Sequence, residues 1–239
     1  MQKKIIIVGG TSGIGRKLAE VYLQQGNKVG VTGRRNELLD EIKQQYPGLA
    51  STECFDVTQN ENIEKLQSLI SKLGGLDLLI ISAGCGDPSD ELSWSIDKST
   101  VTTNVNGFVE IANWTFNFFA KQGYGHLAAI SSIAATRGSH LAPAYSASKA
   151  FQSVYFEGLA IKATKLNKPI TITCIEPGFV KTKMAKSEKQ FWVVPVHKAA
   201  KQIIAGLNKK KRKLYISRRW WIIAKLMKWM PYWLYRKIG

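Results

Sequence analysis

Residues 3–15, Lys3-Lys4-Ile5-Ile6-Ile7-Val8-Gly9-Gly10-Thr11-Ser12-Gly13-Ile14-Gly15, decide the fold. The apolar run at 5–8 is too short for a membrane span or a signal-peptide core and breaks straight into glycines, which marks a buried strand ending in a tight turn. From position 14 to 25 apolar residues recur at helical spacing, so the unit is strand, glycine turn, helix. Gly9, Gly13 and Gly15, with the small residues Thr11 and Ser12 and then Ile14, let backbone amides and a helix N-terminus approach an anionic group closely. A turn that needs positive φ accounts for the same glycines without any ligand.

The alternation continues downstream. Strands are expected at 28–32, 51–55, 76–82, 125–131 and 170–175, and a last one at 214–217. Helices are expected between them at 36–46, 61–73, 98–121, 144–166 and 197–207. Such alternation demands right-handed crossovers and a parallel sheet, so the fold class is α/β, a single-domain doubly wound parallel sheet with helices on both faces. Residues 1–208 are assigned to the domain and 209–239 to a C-terminal extension.

Composition narrows the function classes. The chain has 239 residues, 45 % of them hydrophobic, enough for a full core. No stretch reaches the run of about 18 apolar residues that a spanning helix needs. Cys54, Cys85 and Cys174 lack metal-ligand spacing and leave one thiol unpaired in any disulfide scheme, which fits small buried side chains in a reducing cytoplasm. The formal charge of +17 is lopsided: residues 209–239 hold seven lysines and four arginines and no acid, leaving +6 for the remainder. The basic character therefore belongs to a tail.

In nucleotide-binding sheets a carboxylate about 20 residues beyond the glycine turn holds the ribose hydroxyls of NAD. That place is Gly33, followed at once by Arg34 and Arg35. A guanidinium there attracts the 2′-phosphate of NADP(H), and Arg34 is the stronger candidate. The alternative is a solvated loop pair.

Tyr145 and Lys149, four apart in Tyr145-Ser146-Ala147-Ser148-Lys149, stack on one helical face. A neighbouring ammonium stabilises tyrosinate and brings a phenol pKa of about 10 toward the range useful for proton transfer. Ser132 precedes Tyr145 at the end of a strand.

With these residues in order, the chain resembles the short-chain dehydrogenase/reductase family over roughly 3–207, which implies a Rossmann-like fold. Gly9 to Gly15 resembles the family's cofactor loop, Asp56-Val57 its adenine-contacting pair and Ala83-Gly84 the end of its Asn-Asn-Ala-Gly motif. Asn104, Ser132, Tyr145 and Lys149 resemble the catalytic tetrad in the correct order. Pro177-Gly178 with Val180 and Thr182 is similar to the segment beside the nicotinamide. The resemblance implies that Ser132 polarises a carbonyl and Tyr145 donates the proton. It also implies that Lys149 binds the ribose and that Asn104 places a relay water. Val8 and Ile81-Ser82 depart from the family pattern, at positions that steady the sheet rather than perform chemistry.

The expected activity is NADPH-dependent reduction of a ketone to a secondary alcohol, on a small-molecule carbonyl or alcohol substrate of lipophilic or amphiphilic character. Phe179, Met184, Phe191, Trp192 and Val193, interleaved with Lys181, Lys183, Lys186 and Lys189, suggest a lid suited to such a molecule. A nucleotide sensor or membrane-surface protein with little catalysis is the alternative. His126 and His140 lack metal-ligand spacing and read as surface or loop residues, so no metal is expected. Phe108, Trp114, Phe116, Phe118 and Phe119 are expected in the core or at the contact of a homo-oligomer, dimer or tetramer. In the tail, residues 219–230 put Trp220, Ile223, Ala224 and Met227 on one helical face, an amphipathic pattern expected to lie on an anionic membrane surface, as a peripheral rather than a spanning segment. Packing on the domain or on a second subunit is the alternative, and nucleic acid ranks last.

Overall fold

The computed structural model describes residues 2–182 and 191–237. Strand β1 (Lys4–Val8) runs through the glycine turn into α1 (Gly13–Gln24). The first half continues through β2 (Lys28–Gly33), α2 (Asn36–Gln45), β3 (Ala50–Cys54), α3 (Asn62–Leu73) and β4 (Leu78–Ile81). Then come α4 (Trp94–Val101), a π-helical turn (Thr102–Gly107), α5 (Phe108–Gln122), β5 (Gly125–Ile130) and a 3-10 turn (Ile133–Thr136). Helix α6 (Pro143–Lys165) leads to β6 (Ile170–Pro177), and a small ribbon of β7 (Val180–Lys181) and β8 (Val194–Pro195) precedes α7 (Val196–Asn208). The chain closes with β9 (Lys213–Ile216), α8 (Trp220–Trp229) and α9 (Tyr232–Tyr235).

Among the described residues seven strands form one parallel sheet in the order β3-β2-β1-β4-β5-β6-β9. Alternation along β1 feeds two cores. Ile5 and Ile7 pack with Leu18, Leu23 and α7 on one face, while Ile6 and Val8 pack with Phe108, Phe119 and Phe156 on the other. The order reverses between β1 and β4, and at such a reversal a crevice opens at the carboxyl ends of the strands.

Three expectations change. The helix expected at 98–121 is two helices divided by the π-helical turn at Thr102–Gly107, and an inserted turn of this kind re-aims the residues it carries. Gly107 is required there, because any side chain would collide with the Val57 carbonyl. The sheet also extends past residue 208: β9 lies in the segment assigned to the extension, yet it pairs with β6 from Cys174↔Lys213 to Pro177↔Ile216. His126 is a residue of β5 rather than a surface histidine. Its Nε2 lies 2.8 Å from Thr173 Oγ1, and burial, with Lys210 and Lys3 nearby, pushes its pKa down to about 4.

Strand β9 is tied inward through charge. Lys213 Nζ lies 2.7 Å from Oε1 of the buried Glu176, which also accepts from Ser153 Oγ at 2.9 Å. Ser153 meets Ser131 Oγ at 3.2 Å, and Ser131 donates to the Lys149 carbonyl at 2.8 Å. The edge strand is thus wired to the middle of α6. Lys213→Met leaves a buried carboxylate short of a partner, which typically costs about 1–3 kcal/mol. Urea unfolding should show that loss, and Glu176→Gln in the Lys213→Met background should recover part of it.

Candidate active site

The crevice is lined first by glycines. A side chain at Gly9 would collide with the backbone of Ala83, and one at Gly15 with the Gly9 carbonyl, so β1, α1 and the end of β4 approach as closely as backbones can. Ser12 is extended and caps α1 without a side-chain hydrogen bond, which leaves the first-turn amides of Gly13 and Ile14 for another acceptor. Thr182 faces this turn, its methyl group 3.5 Å from where a Cβ on Gly13 would stand. The departure at Val8 is bridged by backbone: its carbonyl accepts from the amides of Ser82 and Ala83 at 2.8 and 2.9 Å. A small-residue cradle at a helix N-terminus fits the pyrophosphate of a dinucleotide.

At its far end the cradle is cationic. A Cβ at Gly33 would press on the Thr11 side chain, and the glycine that ends β2 presents no carboxylate there. Arg35 Nη2 donates to Thr11 Oγ1 at 2.8 Å, and the largely exposed Arg34 reaches Asp56 Oδ2 at 3.4 Å. Burial raises the Asp56 carboxyl, but bonds from Thr58 and the Arg34 guanidinium outweigh it and hold the group below its ordinary value. Val57 follows, its carbonyl bonded by Asn62 Nδ2 at 3.0 Å.

The four tetrad positions converge from three elements. Ser132 follows β5, Tyr145 and Lys149 stand on α6, and Asn104 sits on the π-helical turn. Ser132 Oγ accepts from the Ala134 amide at 3.1 Å, which leaves its proton free to point at another oxygen. Lys149 Nζ lies 5.7 Å from the centroid of the Tyr145 ring. Gly86 lies against that ring, where any side chain would overlap it. Asn104 Nδ2 donates to the Cys85 carbonyl at 2.7 Å and to Ser148 Oγ at 3.0 Å, while its Oδ1 accepts from the Cys85 amide at 2.9 Å. The segment after β4 is thereby pinned over α6.

Electrostatics differ from the simple expectation that Lys149 draws the phenol down. Burial is the largest influence on Tyr145 and raises its pKa, with Ser132 pulling it partly back. Burial also acts on Lys149, pushing its pKa down to about 8. The phenol therefore holds its proton at neutral pH, while the lysine is an ammonium near pH 7 and an amine somewhat above it.

Gln152 was not singled out from the sequence. It is buried, its Oε1 accepts from Lys149 Nζ at 3.1 Å, and its Nε2 donates to the Asn104 carbonyl at 2.9 Å. Lys149 Nζ also donates to the Ile130 carbonyl at 3.1 Å. The amide of Gln152 thus links Lys149 to the Asn104 carbonyl, where the resemblance implied a water, and the carbonyl's second lone pair stays available. The signal was a polar residue three positions after Lys149 and seven after Tyr145, on the same helical face.

The tail supplies a wall. Trp220 is buried, with ring centroids 5.5 Å from Phe179 and 5.0 Å from Phe191, and it lies where any side chain on Gly178 would collide with it. Its indole N–H is buried with no acceptor among the described residues. Arg137, just past the 3-10 turn that follows Ser132, donates to the carbonyls of Met227 and Met230 at 3.3 and 3.0 Å, closing the end of α8. Tyr235 Oη donates to the Gly138 carbonyl at 2.6 Å, and its ring stands 4.5 Å from the Arg137 guanidinium carbon. The inner face of α8 therefore packs on the body, the second of the three readings given for it. Lys183, Met184, Lys186 and Lys189 of the expected lid lie outside the described residues, whereas Lys181 is exposed in β7.

Gln152→Leu should lower the unfolding free energy by about 1–3 kcal/mol, because Lys149 and the Asn104 carbonyl each lose a partner. The unfolded lysine is alike in both proteins, so the pH-dependent part of the difference reports the folded ammonium, while the Asn104 carbonyl adds a constant part. It should be large at pH 7 and shrink as pH rises through about 8, where Lys149 loses its charge. Urea titrations across this range check it, and a pH-independent loss would contradict the assigned role.

A family model described as short chain dehydrogenase matches residues 3–191. An uncharacterized oxidoreductase of Mycobacterium tuberculosis (strain ATCC 25618 / H37Rv) is 30 % identical, the match covering 96 % of this chain and 93 % of the relative. Among solved structures, ElxO with NADP bound superposes with a TM-score of 0.78 at 23 % identity, over 90 % of this chain and 97 % of the other. A 3-ketoacyl-(acyl-carrier-protein) reductase from Brucella melitensis complexed with NADH gives 0.81 at 19 %, over 90 % and 96 %. The strand order, the glycine cradle and these matches agree, and the chain belongs to the short-chain dehydrogenase/reductase family of oxidoreductases.

Proposed function

We propose that this oxidoreductase uses NADPH to reduce the carbonyl of an amphiphilic molecule to a secondary alcohol. The observation that carries the proposal is the convergence of Ser132, Tyr145, Lys149 and Asn104 beside an aromatic wall built from Trp220, Phe179 and Phe191. NADPH, when bound, supplies the hydride that goes to the carbonyl carbon. The glycine cradle and the amides of α1 would hold its pyrophosphate. Asp56, Val57, Ala83 and Gly84 would line the adenosine side, and Pro177, Gly178, Val180 and Thr182 the carboxamide side.

The chain's own groups account for the proton. Ser132 would donate to the carbonyl oxygen and fix its direction. Tyr145, kept protonated by burial, would give its proton to that oxygen as negative charge develops there. The tyrosinate so formed would be stabilised by Ser132, with the Lys149 ammonium 5.7 Å from its ring centroid. Lys149, with a pKa of about 8, is matched to returning the proton near neutral pH.

NADP(H) is preferred because Gly33 stands where a carboxylate would repel a 2′-phosphate, while Arg34 and Arg35 bracket the same corner. Bound nucleotides in the neighbouring structures are of both kinds, so the arginines carry this assignment. A reducing cytoplasm suits the three free cysteines. A homo-oligomer would cover Phe151, Val154 and Ile161, which are exposed along α6. The nucleotide-sensor alternative is not favoured, since it leaves the four converging side chains without a role.

Tyr145→Phe should bind NADPH within about twofold of wild type yet lose about 10² to 10⁴ in turnover on a ketone panel, the usual worth of a positioned acid. NADPH fluorescence titration and absorbance loss on the same panel separate the two, and near-wild-type turnover would sink the mechanism. Arg34→Ala and Arg35→Ala should each weaken NADPH binding about 10- to 100-fold, the worth of one charged hydrogen bond, and leave NADH unchanged. Equal loss for both nucleotides would remove the 2′-phosphate assignment.

A further inference from the structure

We infer that the outer face of α8 and α9, with Phe191, Trp192 and Val193 beside it, is a docking surface for an anionic lipid bilayer, and that the substrate mouth opens on this surface. Helix α8 has two unlike faces, and both are apolar. Trp220 and Ala224 are buried against the body, with Ile223 and Met227 half-buried at their flanks. At 100° per residue the opposite arc carries Trp221, Lys225, Trp229, Ile222 and Leu226, all exposed, Trp229 to 83 %. Tyr232 and Trp233 of α9 extend this surface at 74 % and 61 % exposure. A water-facing helix keeps its apolar stripe inward and polar groups outward, so an outer arc of this composition marks a contact surface.

Charge selects the occupant. Exposed Arg218, Arg219, Lys228, Arg236 and Lys237 flank the arc, Lys225 lies within it, and the sequence from 209 to 239 contains no acidic side chain. The cations stand against indoles: Lys225 Nζ lies 4.4 Å from the Trp221 ring centroid, and the Arg219 guanidinium carbon 5.8 Å from that of Trp192. A second copy docked by the same patch in a two-fold contact would set cation against cation. Exposed Ile222 and Leu226 offer nothing to stacked bases. An anionic leaflet satisfies all three components, with phosphates meeting the cations, headgroups the indoles, and the acyl boundary the aliphatic side chains.

The inner face of the same helix closes the site. Trp220 covers Gly178, and Arg137 fastens α8 to the turn that follows Ser132. Phe179, Phe191 and Trp192 ring Trp220, with centroids 5.0 to 6.2 Å from it, so the aromatic cluster continues inward from the docking face to the Gly178 turn. An amphiphilic carbonyl could then pass from the bilayer to Tyr145 without entering water. This route rests on the carbonyl-reductase proposal, whereas the docking surface does not.

Co-sedimentation of the full-length protein with phosphatidylglycerol–phosphatidylcholine vesicles and with pure phosphatidylcholine vesicles tests docking without any substrate. Binding is expected on the anionic vesicles, weakened by salt. The combined variant Ile222→Glu, Leu226→Glu, Trp229→Glu should lose at least about tenfold in affinity while keeping its circular dichroism and NADPH binding. Lys225→Glu with Lys228→Glu should lose affinity as well. Wild-type protein left in the supernatant of anionic vesicles at low salt would overturn docking, as would equal vesicle binding by the triple variant. Single-stranded RNA that binds wild type and triple variant alike and strips the protein from vesicles would overturn it too, as would a wild-type oligomer that the triple variant dissolves without any vesicle binding. For the route, the triple variant should retain turnover of a water-soluble ketone and lose it on a long-chain ketone embedded in vesicles. Equal retention on both overturns the route. Vesicle binding with no carbonyl turned over by wild type overturns the reductase proposal and the route with it, and supports the docking surface.

Discussion

A buried ammonium must find acceptors, and the carboxyl end of this sheet is arranged around that requirement. Lys149 Nζ is satisfied by a carbonyl at the end of β5 and by an amide one turn along its own helix. The amide is in turn held by the carbonyl of Asn104, which the π-helical turn delivers across from the neighbouring helix. Asn104 then uses its side chain to hold the segment after β4 in place. The same contacts that make the charge tolerable define the floor on which Tyr145 and Ser132 stand. With the lysine poised near pH 8 by burial, small losses in this network translate into a different protonation state at physiological pH.

Much of the molecule was legible in the sequence, for reasons that are local. Apolar runs ending in glycine mark buried parallel strands, and Ile14 to Gln25 shows its helical period without help from the remainder of the chain. Tyr145 and Lys149 share a face by spacing alone. What escaped depends on partners far away in sequence. Gln152 matters because of Asn104, 48 residues earlier. The π-helical turn exists where Gly107 must slip past the Val57 carbonyl. A last strand was expected at 214–217, but only Glu176 across the strand pair makes Lys213 a partner rather than part of a solvated tail. His126 reads as a loop histidine until Thr173 and the neighbouring strands enclose it.

The tail illustrates how periodicity can be right and incomplete. Trp220, Ile223, Ala224 and Met227 do share one face of α8, and that face packs on the body. The pattern did not reveal that the opposite face is nearly as apolar, because lysines at 225 and 228 break the hydrophobic run in the sequence while pointing among exposed indoles in space. Packing and surface association were framed as alternatives, but a helix with two apolar faces can support both. Arg137 and Tyr235 tie this helix and the segment after it to the Ser132 turn.

The indole of Trp220 carries a consequence for what the pocket selects. Its N–H is removed from water and meets no acceptor among the described residues, a condition that typically costs about 1–3 kcal/mol. A bound molecule with an oxygen lying along the Gly178 turn would relieve that cost, and a plain hydrocarbon chain would leave it in place. On the proposed function, a molecule that is oily over most of its length and carries a second acceptor at the depth of that donor would be favoured over a plain hydrocarbon.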